Sequence, residues 1–136
     1  MYEDEFRAAA KNLFIATDDG SYGVKGFVTD VLKDLLDKGG IDCVMAVGPM
    51  PMMRAVSALT LTYNVKTVVS MNPIMVDGTG MCGGCRITVG GKTRYACVDG
   101  PEFDGHEIDW QEAMQRLSAY REQEKEHVCR LTGEKR

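Results

Sequence analysis

The chain has 136 residues, 44% of them hydrophobic, which is enough for a single ordinary core. Its formal net charge of -4 leaves no basic stripe to displace counterions from phosphates, so a nucleic-acid partner is not expected. No apolar run reaches the roughly 18 residues of a membrane span, and the charged stretch Met1 to Lys11 has no secretory pattern, so a cytoplasmic protein away from membranes is expected.

Glu3 to Asn12 reads as a short helix, with Phe6, Ala9 and Ala10 at helical spacing. Leu13 to Thr17 reads as a buried strand ended by the turn Asp18-Asp19-Gly20-Ser21. Gly26 to Lys38 carries Phe27, Val31, Leu32, Leu35 and Leu36 on one helical face and stops at Gly39-Gly40. The unit then repeats: strand Asp42 to Val47, turn Gly48-Pro49-Met50-Pro51, helix Met52 to Tyr63, strand Lys66 to Met71. Alternating strands and helices predict parallel strands with right-handed crossovers. The pattern opens on a helix with no strand ahead of it, like a doubly wound domain missing its beginning.

From Asn72 the character changes. Glycine becomes dense, and Arg86 to Cys97 reads as a hairpin turning on Gly90-Gly91. Asp109 and Glu112 form a capping box for a long helix to about Val128, with Trp110, Met114, Leu117 and Tyr120 on one face. Its second half, Arg121 to His127, reads as a solvated charged surface.

In a reducing compartment the five cysteines are read first as metal or redox chemistry. Cys82 and Cys85 form a C-x-x-C pair on a glycine-rich loop. A two-residue turn at Gly90-Gly91 sets Val89 against Lys92 and Cys97 against Gly84, beside Cys85. Three clustered thiolates, with Gly78, Gly80, Gly83 and Gly84 leaving backbone amides free, suit an iron–sulfur cluster. In the plant-type C-x4-C-x2-C spacing the first ligand stands where this chain has Asp77. A carboxylate is a hard ligand to iron and lowers the reduction potential. Cys43 and Cys129 read as ordinary structural thiols. A zinc site completed by His106 or an aspartate, and a dithiol redox motif, stand as alternatives.

Val76 to Arg86, continued by Ala96 to Gly105, closely resembles the cluster domain of the small (alpha) subunit of NADH-dependent ferredoxin:NADP oxidoreductase and the beta subunit of sulfide dehydrogenase. Both are related to the dihydroorotate dehydrogenase electron-transfer subunit, in the ferredoxin–NADP reductase superfamily. The resemblance implies a [2Fe-2S] cluster held by Asp77, Cys82, Cys85 and Cys97. It also implies that Ala16 to Gly23, Gly26 to Asp30 and Val47 to Met53 are strand-end loops of a nicotinamide-nucleotide domain. Asp18, Asp19 and Ser21 would then face the adenosine half, and Gly48, Pro49, Met50 and Met52 the nicotinamide end. No G-x-G-x-x-G stands between a strand and a helix, so the family's flavin and pyrophosphate sites have no counterpart in this sequence.

The fold expected is therefore α/β: a truncated nucleotide-binding domain of parallel sheet and helices over 1–72, a cysteine-rich loop and β-hairpin over 73–105, and a C-terminal helix over 106–136. The function implied is electron transfer between NAD(P)H and FAD in the full-length subunit and a partner subunit of a heterodimeric oxidoreductase, or ferredoxin, through the cluster. No covalent catalytic residue is expected. The alternative is a non-catalytic docking module for a redox partner, stabilised by zinc or a cluster.

Overall fold

A computed structural model of the chain describes residues 2–119, 123, 126 and 127. It divides into two compact units, Met1–Ile41 and Asp42–Arg136.

In the first unit, α1 spans Glu3–Ala9. Three acidic residues in its opening turn favour the helix dipole, and Arg7 pairs with Glu3 one turn back at 2.6 Å. Two short parallel strands follow, β1 (Ala16–Thr17) and β2 (Val24–Lys25). The strand expected from Leu13 is shorter at its start, because β2 offers a ladder to Ala16 and Thr17 only. Helix α2 spans Val28–Lys38. The Asp30 carboxylate accepts the Phe27 amide at 2.9 Å, so the helix starts two residues later than the apolar pattern indicates. Gly39, at φ 75, terminates it as expected.

In the second unit, β3 (Cys43–Ala46) and β4 (Lys66–Ser70) pair in parallel across the helix α3 (Met50–Thr62). The helix begins before the expected Met52, because Pro51 sits in its first turn, where a missing amide hydrogen costs no helical bond. Met50, Met53, Val56 and Thr60 bury one side of α3, and Thr67, Val69 and Met71 are buried along and just after β4. The hairpin is β5 (Arg86–Val89) and β6 (Lys92–Tyr95), in the expected register with Val89 opposite Lys92. A helical turn, α4 (Ala96–Asp99), comes next.

Strand β7 (Glu102–Asp104) was not evident in the sequence; it pairs antiparallel with β4, Val69 facing Phe103. The sheet order is thus β3-β4-β7. Helix α5 spans Trp110–Leu117, and Asp109 caps it by accepting the Glu112 amide at 2.9 Å. It ends sooner than expected, at Ser118, whose amide bonds back to Met114 and Gln115. Gln123, Glu126 and His127 are helical; Tyr120 and most of the charged run lie outside the described residues. Among the described residues no helix is long and apolar enough to cross a membrane.

Candidate metal centre

Between β4 and β5 the chain forms neither helix nor strand of its own and is organised by local hydrogen bonds. The Asp77 carboxylate accepts the amide of Thr79 at 2.9 Å and that of Cys82 at 3.1 Å. These bonds, the Thr79 amide foremost, hold its pKa below the ordinary carboxylate value. Thr79 Oγ1 in turn accepts the Met81 amide. Gly80 lies at φ 82, and a Cβ there would come within 2.9 Å of the Val98 side chain. Only glycine lets the loop turn so close to α4.

Cys82 is exposed, and its Sγ accepts the Gly84 amide at 3.4 Å. Cys85, only 2% exposed at the mouth of β5, places its Sγ 3.3 Å from that of Cys97 in α4. The sequence places Cys97 beside Cys85 as a ladder neighbour; the structure brings it there by a different route. The ladder ends at Tyr95, and the Ala96 amide bonds to the Cys85 carbonyl at 3.2 Å as the chain turns into α4. Asp99 fixes that turn by accepting the Tyr95 amide at 2.7 Å. Contact with Cys85, and after it burial, raises the Cys97 thiol above its ordinary pKa, so a metal taking this pair displaces protons.

Among the described residues no three His, Cys, Asp or Glu side chains converge as a ready metal cage. Two contacts join the four residues: the Asp77 carboxylate accepts the Cys82 backbone amide, and the Cys85 thiol meets that of Cys97. Their donor set of three thiols and a carboxylate fits iron chemistry. Cys43 lies exposed on β3, its thiol 3.9 Å from the Val44 carbonyl; Cys129 lies outside the described residues. His106, the histidine of the zinc alternative, is hydrogen-bonded to Thr60 through Nε2 at 3.1 Å, with Nδ1 3.9 Å from Asp104.

One neighbour of the loop carries no sequence signal. Arg116 of α5 donates from its guanidinium to the Gly84 carbonyl at 3.2 Å, across 32 residues of sequence. It borders a cavity of about 240 Å³ lined by Val76, Ile87, Ala113 and Leu117. Arg116 stands three residues after the buried Ala113, on the same side of α5, but nothing near it in the sequence shows that its side chain reaches a distant loop.

The candidate nucleotide residues fall in both units. In the first, Asp18, Asp19 and Ser21 form an exposed turn in which Asp19 accepts the Ser21 amide at 2.9 Å. This bond holds the Asp19 carboxyl below its ordinary pKa. In the second, Gly48 and Pro49 lead into α3, and the Pro49 carbonyl accepts the amides of Met52 and Met53. Met50 is buried and Met52 half-buried.

Residues 72–109 match the iron–sulfur cluster binding domain of dihydroorotate dehydrogenase B. The chain is 49% identical over 134 residues to the dihydroorotate dehydrogenase B (NAD(+)) electron transfer subunit homolog of Thermotoga maritima, covering 96% of this chain and 47% of the relative. It is 40% identical over 112 residues to the corresponding electron transfer subunit of Bacillus velezensis, covering 79% of this chain and 41% of that protein. A solved chain from NADH-dependent reduced ferredoxin-NADP oxidoreductase, described in work on flavin-based electron bifurcation, superposes with a TM-score of 0.83 at 49% identity, covering 95% of this chain and 46% of that one. The chain thus spans less than half the length of these relatives. It resembles part of the dihydroorotate dehydrogenase B electron-transfer subunits and their homologues, with an α/β fold shared with that oxidoreductase chain and a matched cluster-binding segment.

Proposed function

We propose that the chain is the electron-exit portion of an electron-transfer subunit in a flavin- and NAD(P)-dependent oxidoreductase, and that Asp77, Cys82, Cys85 and Cys97 hold a [2Fe-2S] cluster. The observation that carries this reading is the thiol pair Cys85–Cys97 at 3.3 Å, inside the segment matched to a cluster-binding domain. Each iron of such a cluster takes two protein ligands, so the Cys85–Cys97 thiol pair suits one of them. A single zinc ion requires all four donors around one centre.

A bound cluster supplies one-electron relay. The chain's own residues orient and shield the site. Asp77 and Thr79 shape the loop, Cys85 is sheltered, and the Gly84 amide already points at a ligand sulfur. Around the loop Val76, Met81 and Val98 are exposed, Met81 to 89%. Such uncovered apolar side chains suit contact with the partner subunit of a heterodimeric oxidoreductase or with ferredoxin.

In this reading residues 1–72 are the NAD(P)-binding part, 73–105 the cluster-binding part, and 106–136 the C-terminal segment. Asp18, Asp19 and Ser21 would meet the adenosine half of the nucleotide, and Gly48, Pro49, Met50 and Met52 its nicotinamide end. FAD would belong to the portion of the relatives beyond this chain.

Anaerobic purification followed by iron, zinc and acid-labile sulfide assays tests the cluster. Two irons and two sulfides per chain, with visible absorption, are expected of a [2Fe-2S] site. Colourless protein holding stoichiometric zinc and no iron overturns the reading.

A further inference from the structure

We propose that Arg116 is a positioning residue for the cluster loop: it fixes the Gly84 peptide between two ligands and raises the reduction potential of a cluster bound there. The inference rests on the assignment of Cys82 and Cys85 as cluster ligands.

Gly84 is tied on both sides. Its carbonyl receives the Arg116 guanidinium at 3.2 Å, while its amide donates to Cys82 Sγ at 3.4 Å. A side chain at this position would press on Val76 at 3.3 Å and on the Ile74 carbonyl at 3.5 Å, so the residue has little room to shift. The carbonyl belongs to the peptide joining Gly84 to Cys85 and the amide to the one joining Gly83 to Gly84, so the bond from α5 acts directly on the Cys85 peptide and, through the Gly84 Cα, on the amide that meets Cys82.

The charge acts as well. A guanidinium stays protonated at every relevant pH. Among the described residues none of the ion pairs involves Arg116 and no carboxylate lines the cavity that it borders. A half-buried cation is screened less than a solvated one. Reduction adds negative charge to a cluster, so a cation beside its ligands favours the reduced form.

The test compares wild type, Arg116→Gln and Arg116→Lys in the full chain, reconstituted anaerobically with ferrous iron and sulfide. Iron and sulfide content and an EPR-monitored redox titration are read on each. For Arg116→Gln we expect a lower potential, a shift of at least threefold in the one-electron equilibrium, or about 28 mV at 59 mV per tenfold. Arg116→Lys should stay nearer wild type. Equal potentials in all three fully loaded proteins overturn the proposal and leave the cluster assignment standing; a wild type that takes up neither iron nor sulfide overturns both. If Arg116→Gln loads less iron than wild type, Arg116→Lys decides. Recovered iron content supports the role, and content as low as in Arg116→Gln overturns it.

Discussion

The carboxylate of Asp77 and the backbone amide of Cys82 are joined at 3.1 Å, which closes the first half of the cysteine loop on itself. If the same carboxylate also binds iron, Asp77→Cys should keep the cluster and raise its potential, since a thiolate is the softer ligand. Asp77→Ala should lose most of the iron, having lost ligand and loop bonds together. Iron analysis and redox titration of the two variants check this. Full iron content and an unchanged potential in Asp77→Ala would show that the carboxylate is no ligand.

At the hairpin turn Gly90 and Gly91 lie at φ 57 and φ 72, both left-handed, as a two-residue turn matched to strand twist requires. A Cβ at Gly91 would touch nothing within 4 Å, so the cost of a side chain there is one of backbone conformation alone. Gly91→Val should destabilise by about 1–2 kcal/mol. Gly91→Asn should cost less, because asparagine tolerates this region. Urea unfolding of both variants measures the difference, and equal midpoints would contradict the argument.

Thr60 is fully buried and joins three elements: its hydroxyl contacts the Val56 carbonyl at 3.0 Å, His106 Nε2 at 3.1 Å and the Thr67 hydroxyl. Thr60→Val preserves shape but leaves Thr67 and His106 without their shared partner. A loss of about 1–3 kcal/mol in urea unfolding is expected.

Much of this fold is written locally. The Gly90-Gly91 turn, the Gly39 stop of α2 and the Asp109 cap each depend on residues a few positions apart, and each is where the sequence indicates. Strand β7 is different. Glu102, Phe103 and Asp104 alternate over three residues only, too few to announce a strand, and they pair along the edge of β4. Cys97 illustrates the same limit at the site. Hairpin register places it near Cys85, but whether it arrives on a strand or a helical turn depends on where the ladder stops. The Arg116–Gly84 bond is purely tertiary, and nothing near either residue announces it.

In the first unit the Tyr22 hydroxyl donates to the Glu3 carboxylate at 2.7 Å. That bond first, and Arg7 second, hold the Glu3 pKa below its ordinary 4.5. A carboxyl whose pKa falls on folding stabilises the folded state above its unfolded value, and that contribution fades as pH drops through the lower folded value. Tyr22→Phe should move the Glu3 titration, followed by NMR, back toward 4.5. It should also weaken the dependence of stability on pH below that value. An unmoved titration would assign the shift to Arg7 instead.

The chain leaves the sheet after β4 and rejoins it at β7, and the two crossing points are bound to each other, the Met71 amide to the Pro101 carbonyl at 2.9 Å. Everything between them, all four proposed ligands included, is a detour that starts and finishes at one place. Such a segment is a cassette on the sheet, its loops able to lengthen or change ligands while β5 stays tied to Glu107 and Asp109 beyond it. The same scaffold could therefore accept a different redox group by changes confined to residues 72–100.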